Sequence, residues 1–309
     1  MKPPLLVIAG STASGKTAVA IELSKKIPCE IISCDSMQVY KSMPILTGQG
    51  NVKTPKIHLN SFLSPSEEYS AAQFRKDAEK KIQAILKKKK TPVMTAGTGL
   101  YLRALLDGLF ELPKDLGSGD DALRQELYQE AERKGSIALH AKLKEIDPVY
   151  AQKIHPNDLR RVVRALEVFK RTGKPFSDHH ATRQGIRQNF KVRVFLIDRD
   201  REDLYKRIDT RVDQMMDDGL LSEVKKLSKK KLSQTASMAL GIRQMQAFLE
   251  KKSTLIDAVT LLKRDTRHYA KRQLSWFRHE KKVEPVPVKP KDSAAVIAQK
   301  ILKTWKRKA

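Results

Sequence analysis

The chain has 309 residues, 40% of them hydrophobic, enough for one large domain or two modest ones around a real core. No apolar run approaches the roughly 18 residues that span a bilayer, and one Lys with a few apolar positions ahead of a glycine loop does not read as a signal peptide; a cytoplasmic protein with no membrane contact is expected. The formal net charge of +26, from 61 Lys and Arg against 35 Asp and Glu, favours a polyanionic partner, nucleic acid ahead of a membrane surface.

Leu5 to Ala9 is an apolar run of strand length, and Lys16 to Ile27 has helical spacing before Pro28. Between them Gly10, Ser11, Thr12, Ala13, Ser14, Gly15, Lys16 and Thr17 match G-x-x-x-x-G-K-[ST], a loop whose backbone amides cradle a pyrophosphate or nucleotide phosphate. Lys16 supplies a point charge, and the Thr17 hydroxyl is placed to hold Mg²⁺. The loop indicates phosphate. It specifies neither the phosphorylated molecule nor a phosphoryl transfer.

Glu30 to Cys34 is a second strand, delivering Asp35, Ser36, Met37, Gln38, Val39 and Tyr40 at its carboxyl end. In an open α/β sheet that edge carries the ligands, and the phosphate loop shares it. Asp35 is either a general base or metal-shell carboxylate, or a capping Asp at a strand–helix turn. Cys29 and Cys34 flank this strand and read as reduced structural residues. Residues 41–66 are irregular, and Tyr69 to Lys89 is helical. Pro92 to Thr95 is a strand followed by Ala96-Gly97-Thr98-Gly99-Leu100-Tyr101, a glycine turn opening a helix through Leu106. Thr98 either offers a hydroxyl where the backbone lies open to a ligand or belongs to a plain strand–helix connection.

Leu112 to Asp121 reads as a domain boundary, and Ala122 to about Arg187 carries helical signals only. One of these helices, Asp158 to Arg171, combines a buried side (Val162, Val163, Leu166, Val168) with Arg160, Arg161 and Arg164, an arrangement suited to phosphate-backbone contact. Val192 to Ile197 is a strand rejoining the first domain. Helices follow at Arg201–Met216, Leu220–Leu227 and about Ser253–Phe277. Arg207 and Arg211 share a face at i, i+4. They either form surface ion pairs with Asp203 or Asp213, or supply a cation for charge developing on a leaving pyrophosphate. Arg264 to Arg278 mixes arginine with aromatics, a pattern suited to phosphates and unstacked bases. Glu284 to Pro290 reads as a stiff linker before a last helix, about Ser293 to Trp305. The expected architecture is an α/β fold, a P-loop NTPase-like parallel sheet flanked by helices with an all-helical insertion. Its parts are a core at 1–115 and 190–280, an insertion at 116–189, and a basic linker and helix at 281–309. His155, His179 and His180 lack ligand spacing with any Cys or Asp pair, which argues against zinc.

Gly10 to Thr17, Asp35 to Tyr40, Gly97 to Tyr101, His155-Pro156-Asn157-Asp158, Arg164 to Val168 and Tyr269-Ala270-Lys271-Arg272-Gln273 occur in this order and at similar intervals in the tRNA dimethylallyltransferase family. From about residue 5 to 280 the chain resembles its bacterial members. The resemblance implies transfer of a dimethylallyl group from dimethylallyl pyrophosphate to N6 of adenosine 37 beside the tRNA anticodon. The loop would then hold the pyrophosphate of the isoprenoid. By the same resemblance Asp35 is the general base, Thr17 the Mg²⁺ ligand, and Lys16 and Arg211 neutralise the departing pyrophosphate. Thr98 sits beside the reacting centre, and Ser36, Met37 and Gln38 surround the adenine. Arg124, Arg160, Arg161, Arg164, Arg243, Gln244, Arg272 and Gln273 contact the tRNA anticodon stem-loop. A monomer is expected. The sequence departs from the family at Ser11 (usually Pro), Ala96 (commonly Gly), Met238 (Arg in some relatives) and Ile45 to Gly50, which lacks the Lys that usually follows Gly-Thr-Ala. It also has about four extra residues between Tyr101 and Arg124. No Cys/His finger of the eukaryotic kind follows residue 280. A small-metabolite kinase with a P-loop and a non-catalytic RNA-binding protein are the competing readings.

Overall fold

The computed structural model describes residues 2–49, 55–109, 121–181, 183–280 and 282–307. Its elements run β1 (Pro4–Ala9), α1 (Lys16–Ser24), β2 (Cys29–Cys34), α2 (Pro44–Thr47), β3 (Ile57–His58), α3 (Ala71–Lys87), β4 (Thr91–Ala96) and α4 (Gly99–Leu106). There follow α5 (Asp121–Lys134), α6 (Ser136–Ile146), α7 (Pro148–Ala151), α8 (Leu159–Thr172) and α9 (Phe176–Ala181). The chain then continues with β5 (Lys191–Arg199), α10 (Arg201–Asp217), α11 (Leu220–Leu227), α12 (Gln234–Ser237), α13 (Ile242–Leu249), α14 (Leu255–Arg278), β6 (Val283–Val288) and α15 (Ala294–Arg307). Two compact units result, one of Met1–Leu106 with Ile186–Ala309 and one of Asp107–Gly185. The boundary expected at Leu112 to Asp121 lies largely outside the described residues.

In the first unit the strands form a parallel sheet in the order β3-β2-β4-β1-β5-β6. Side chains of β1 alternate between two buried faces. Leu5, Val7 and Ala9 pack with Phe74 and Ile82 of α3 on one side. Leu6 and Ile8 pack with Val19 and Leu23 of α1, and with Ile297 and Ile301 of α15, on the other. Burial on both faces is why β1 reads as a continuous apolar run rather than an alternating one. Since β1, β2, β4 and β5 are neighbours and parallel, their carboxyl ends deliver the Gly10 loop, Asp35, the Gly97 turn and Arg199 to one edge.

Three local readings change. Residues 41–66 are not wholly irregular, for they hold α2 and β3. Helix α13 was not foreseen in the stretch between Leu227 and Ser253. The proline-rich stretch read as a linker is β6, paired in parallel with β5 from Val194↔Val283 to Arg199↔Val288. Pro285 and Pro287 are exposed on this edge strand while Val286 and Val288 are buried, an alternation an edge tolerates because proline there forfeits no ladder hydrogen bond. The last helix is likewise part of the core. Buried Arg193 of β5 donates from Nη1 to the carbonyls of Thr304 (2.7 Å) and Trp305 (3.1 Å) and pairs with Glu284 at 2.6 Å.

In the second unit, Leu127, Leu139, Leu143, Val162, Val163 and Leu166 form a core of their own. Helices α6 and α8 make its centre, with the Asp158 side chain capping α8 through the Arg161 amide.

Candidate active site

The phosphate loop turns between β1 and α1 with Ala13 at φ 59° and Gly15 at φ 96°, the second a conformation that glycine adopts without strain. Such a turn aims amides inward and carbonyls outward, and the outward carbonyls are met by arginine. Arg199 Nε donates to the Ser14 carbonyl at 2.9 Å and Arg207 Nε to the Ala13 carbonyl at 3.0 Å. Ser14 Oγ donates back to the Ser11 carbonyl at 2.8 Å, and Lys16 Nζ to the same oxygen at 2.7 Å. Burial lowers the Lys16 ammonium to about 8, with Asp35 opposing the shift and Arg211 reinforcing it. Ser11, the residue in the family's usual Pro position, is fully buried, and its hydroxyl has no partner among the described residues.

Asp35 follows β2 directly. Its Oδ1 accepts from the amides of Met37 (2.9 Å) and Gln38 (3.4 Å). The carboxylate therefore does cap its turn, as the plainer sequence reading held, yet among the described residues only one oxygen is used. Oδ2 lies over Gly97, 2.8 Å from where a Cβ would stand. Thr98 Oγ1 accepts from the Ser36 amide at 3.0 Å and donates to Ser36 Oγ at 3.3 Å, joining the second glycine turn to the Asp35 segment. Gln38 Oε1 accepts from Ser33 Oγ at 2.8 Å. Gln49, buried, donates to the carbonyls of Gln38 (2.9 Å) and Tyr40 (2.7 Å), so the stretch that lacks the family's lysine braces the Asp35–Tyr40 segment with an amide instead.

The surface ion-pair alternative for Arg207 and Arg211 fails. Asp203 pairs with Arg199, and Asp213 with Lys263. Arg211 is half-buried and has no hydrogen bond or ion pair among the described residues. Its guanidinium lies against Gly48 (φ +60°) at a spot that a Cβ would fill. Burial lowers its pKa, with Asp35 pulling the other way. A buried cation without a carboxylate partner is expensive; here it faces a cavity of about 1420 Å³. Thr12, Ala13, Gly15, Lys16 and Thr17 line that cavity on one side, with Asp35, Ser36, Met37 and Gln38 beside them. Ile45, Leu46, Val212, Met215, Leu240 and Leu262 give it an apolar wall, which sequence reading missed because these residues come from four separate segments.

Other expected contact residues divide. Arg272, exposed, and Gln273 line the cavity. Arg243 is exposed and pairs with Asp265 at 3.1 Å. Gln244 is 2% exposed, accepts from the Gly241 amide and donates to Asp265, so its amide is committed to holding α13 on α14. Within the second unit, Arg124 and Arg164 both bond Glu167 Oε2, at 2.9 and 2.8 Å, and Glu167 is fully buried. Arg161 pairs with Asp158 at 3.3 Å, and Arg160 is exposed. Arg199 went unnoticed in the sequence, and Tyr269, part of the motif that carries the resemblance but given no role there, lines the cavity. A charged residue ending an otherwise buried strand was the available signal for Arg199. Burial pushes the Tyr269 phenol up, with Asp35 adding to the shift.

A sequence model of the family described as IPP transferase matches residues 38–280, and one described as isopentenyl transferase matches residues 3–60. The tRNA dimethylallyltransferase of Carboxydothermus hydrogenoformans is 43% identical, over 98% of this chain and 97% of its own. That of Acetivibrio thermocellus is 45% identical over 89% and 88%. Among solved structures, the full-length tRNA isopentenylpyrophosphate transferase of Bacillus halodurans superposes with a TM-score of 0.68 at 35% identity, covering 99% of this chain and 98% of that one. A eukaryotic dimethylallyltransferase acting on tRNA gives 0.76 at 29% identity, with 99% of this chain and 77% of that one covered. None of these matches favours the kinase reading, and the chain belongs to the IPP transferase family of tRNA dimethylallyltransferases.

Proposed function

We propose that this protein transfers a dimethylallyl group from dimethylallyl pyrophosphate to N6 of the adenosine beside the tRNA anticodon, adenosine 37, and releases pyrophosphate. The observation that carries the reading is one cavity joining Asp35 to the cations Lys16 and Arg211; among the described residues one oxygen of Asp35 is unengaged and neither cation is paired with a carboxylate. The apolar wall suits the alkyl chain, and the glycine loop suits the pyrophosphate. Asp35 takes the proton that N6 loses as the N–C bond forms and the C–O bond to pyrophosphate breaks. An exocyclic amine is a weak nucleophile, so a positioned base matters. Lys16 and Arg211 meet the charge that accumulates on the departing oxygen. Thr98 and Ser36 hold the segment on which the adenine rests.

A divalent metal fits the donors available. The Thr17 hydroxyl and Asp35 are hard oxygens, and no trio of His, Cys, Asp or Glu gathers among the described residues. This suits Mg²⁺, which keeps waters and binds chiefly through substrate phosphates. Thr17 would hold it, and the charge it supplies would favour pyrophosphate departure. Arg124, Arg160, Arg161, Arg164, Arg243 and Arg272 serve the tRNA backbone in this reading, each releasing counterions as it meets a phosphate. A cytoplasmic monomer is the expected working form.

Incubation with unmodified tRNA, Mg²⁺ and labelled dimethylallyl pyrophosphate tests the proposal. Label should enter the RNA at a single adenosine. Consumption of ATP with unlabelled RNA would establish the kinase reading instead.

A further inference from the structure

We propose that Gln273 is a positioning residue through which α14 locks the pyrophosphate loop to the Thr98 turn, with Trp276 one helical turn on as its second point of hold. The inference rests on the transferase reading for its consequence in catalysis but not for its geometry. Gln273 is 7% exposed. Its Oε1 accepts from the Thr12 amide at 2.8 Å and its Nε2 donates to the Gly97 carbonyl at 2.8 Å. One side-chain amide, acceptor at one end and donor at the other, thus bridges two loops that are far apart in sequence. With both ends engaged on the two loops and the Tyr269 phenol of the same helix as a further hydrogen-bond partner, the buried amide has its partners within the protein, and tRNA contact is left to its exposed neighbour Arg272.

The two glycines around Thr98 are both shaped by α14. A Cβ on Gly97 would stand 2.8 Å from Asp35 Oδ2, 3.6 Å from Gln273 Nε2 and 3.7 Å from Lys16 Nζ, so base, amide and loop lysine converge on one Cα. A Cβ on Gly99 would enter the indole of Trp276, which also carries the Arg103 guanidinium 4.7 Å from its ring centroid. Gln273 and Trp276, three residues apart, share a helix face. The turn is therefore held from both flanks, while the loop that receives the leaving group is tied to the same helix. Leaving group and acceptor base sit on one frame. A misplacement of about 1 Å between reacting groups costs roughly 100-fold in rate.

Amide hydrogen exchange and steady-state kinetics on the full-length protein test this together. In Gln273→Leu without substrates, the Thr12 amide and the amides of the 97–99 turn should both lose protection. In Trp276→Ala the turn should loosen while Thr12 stays protected. In Gln273→Glu an oxygen replaces the donor facing Gly97, so the turn should loosen more than the loop. With substrates, Gln273→Leu should lower kcat about 100-fold and leave the KM for tRNA within about twofold. Unchanged exchange at either loop in Gln273→Leu, or a raised tRNA KM with normal kcat, would overturn the clamp in favour of a direct RNA contact. If the wild-type protein transfers no label to tRNA, the functional reading fails while the exchange result still decides the clamp.

Discussion

The two units use positive charge in opposite ways. In the helical unit, Arg124 and Arg164 share the buried carboxylate of Glu167, and Arg171 approaches it at 3.6 Å. Two half-exposed guanidinium groups fixed by one buried carboxylate, with the buried Arg171 behind them, leave surplus charge at the surface. In the sheet unit, Lys16 and Arg211 face the cavity with no carboxylate partner among the described residues. Prior pairing fixes geometry and spends little of the charge when several arginines share one anion, as a long phosphate backbone requires. An unpaired cation is costly at rest and effective only when an anion arrives, as the departure of pyrophosphate requires. Under the proposed function, an arginine's partners, more than its presence, would separate recognition from chemistry.

Four measurements would break or sharpen that contrast. Asp35→Ala should lower label transfer by about 10²–10⁴, the usual range for losing a general base, with tRNA affinity by filter binding nearly intact. Lost binding with normal turnover at saturation would move Asp35 out of the chemistry. Arg211→Ala should cost about 10²–10³ in kcat, leaving tRNA affinity unchanged; a purely structural arginine would show in the melting temperature instead. Glu167→Gln should lower the stability of the helical unit by about 1.5–3 kcal/mol, the range for hydrogen bonds to a charged group, and weaken tRNA binding while kcat at saturating tRNA survives. Last, Lys16 is protonated below about 8 in the free protein and loses its charge above it. Affinity for inorganic pyrophosphate, by calorimetry, should therefore be fully present below that pH and fall about tenfold per unit above it. A flat profile across pH 7 to 9.5 would place the lysine outside the anion site.

Much of this site is legible in the residues alone because its parts are local. The glycine loop and Asp35 to Gln38 each follow a recognisable strand, and Gly97-Thr98-Gly99 announces an open backbone. What escaped depends on pairings across the chain. Arg199 reaches a carbonyl 185 residues away, and Gln273 an amide 261 residues away, and no periodicity encodes either. Gln273 and Gln244 resemble solvent-facing contact residues on a polar helix until their buried partners appear. The alternation Pro285-Val286-Pro287-Val288 was an edge-strand pattern all along. Its prolines argued for a linker only because the neighbouring strand was unknown.

The place of β1 in the sheet has a kinetic consequence. One flank of β1 is closed by β4, and the other waits for β5, which begins at Lys191 after the whole inserted unit of Asp107–Gly185. The described part of the insert is helical, the kind of structure that forms fastest, whereas parallel pairing across such a gap is slow. On the ribosome the arginine-bearing insert would be folded while the pyrophosphate loop still lacked the strand that carries Arg199. Under the proposed function, the unit assigned to holding RNA would form before the site assigned to modifying it.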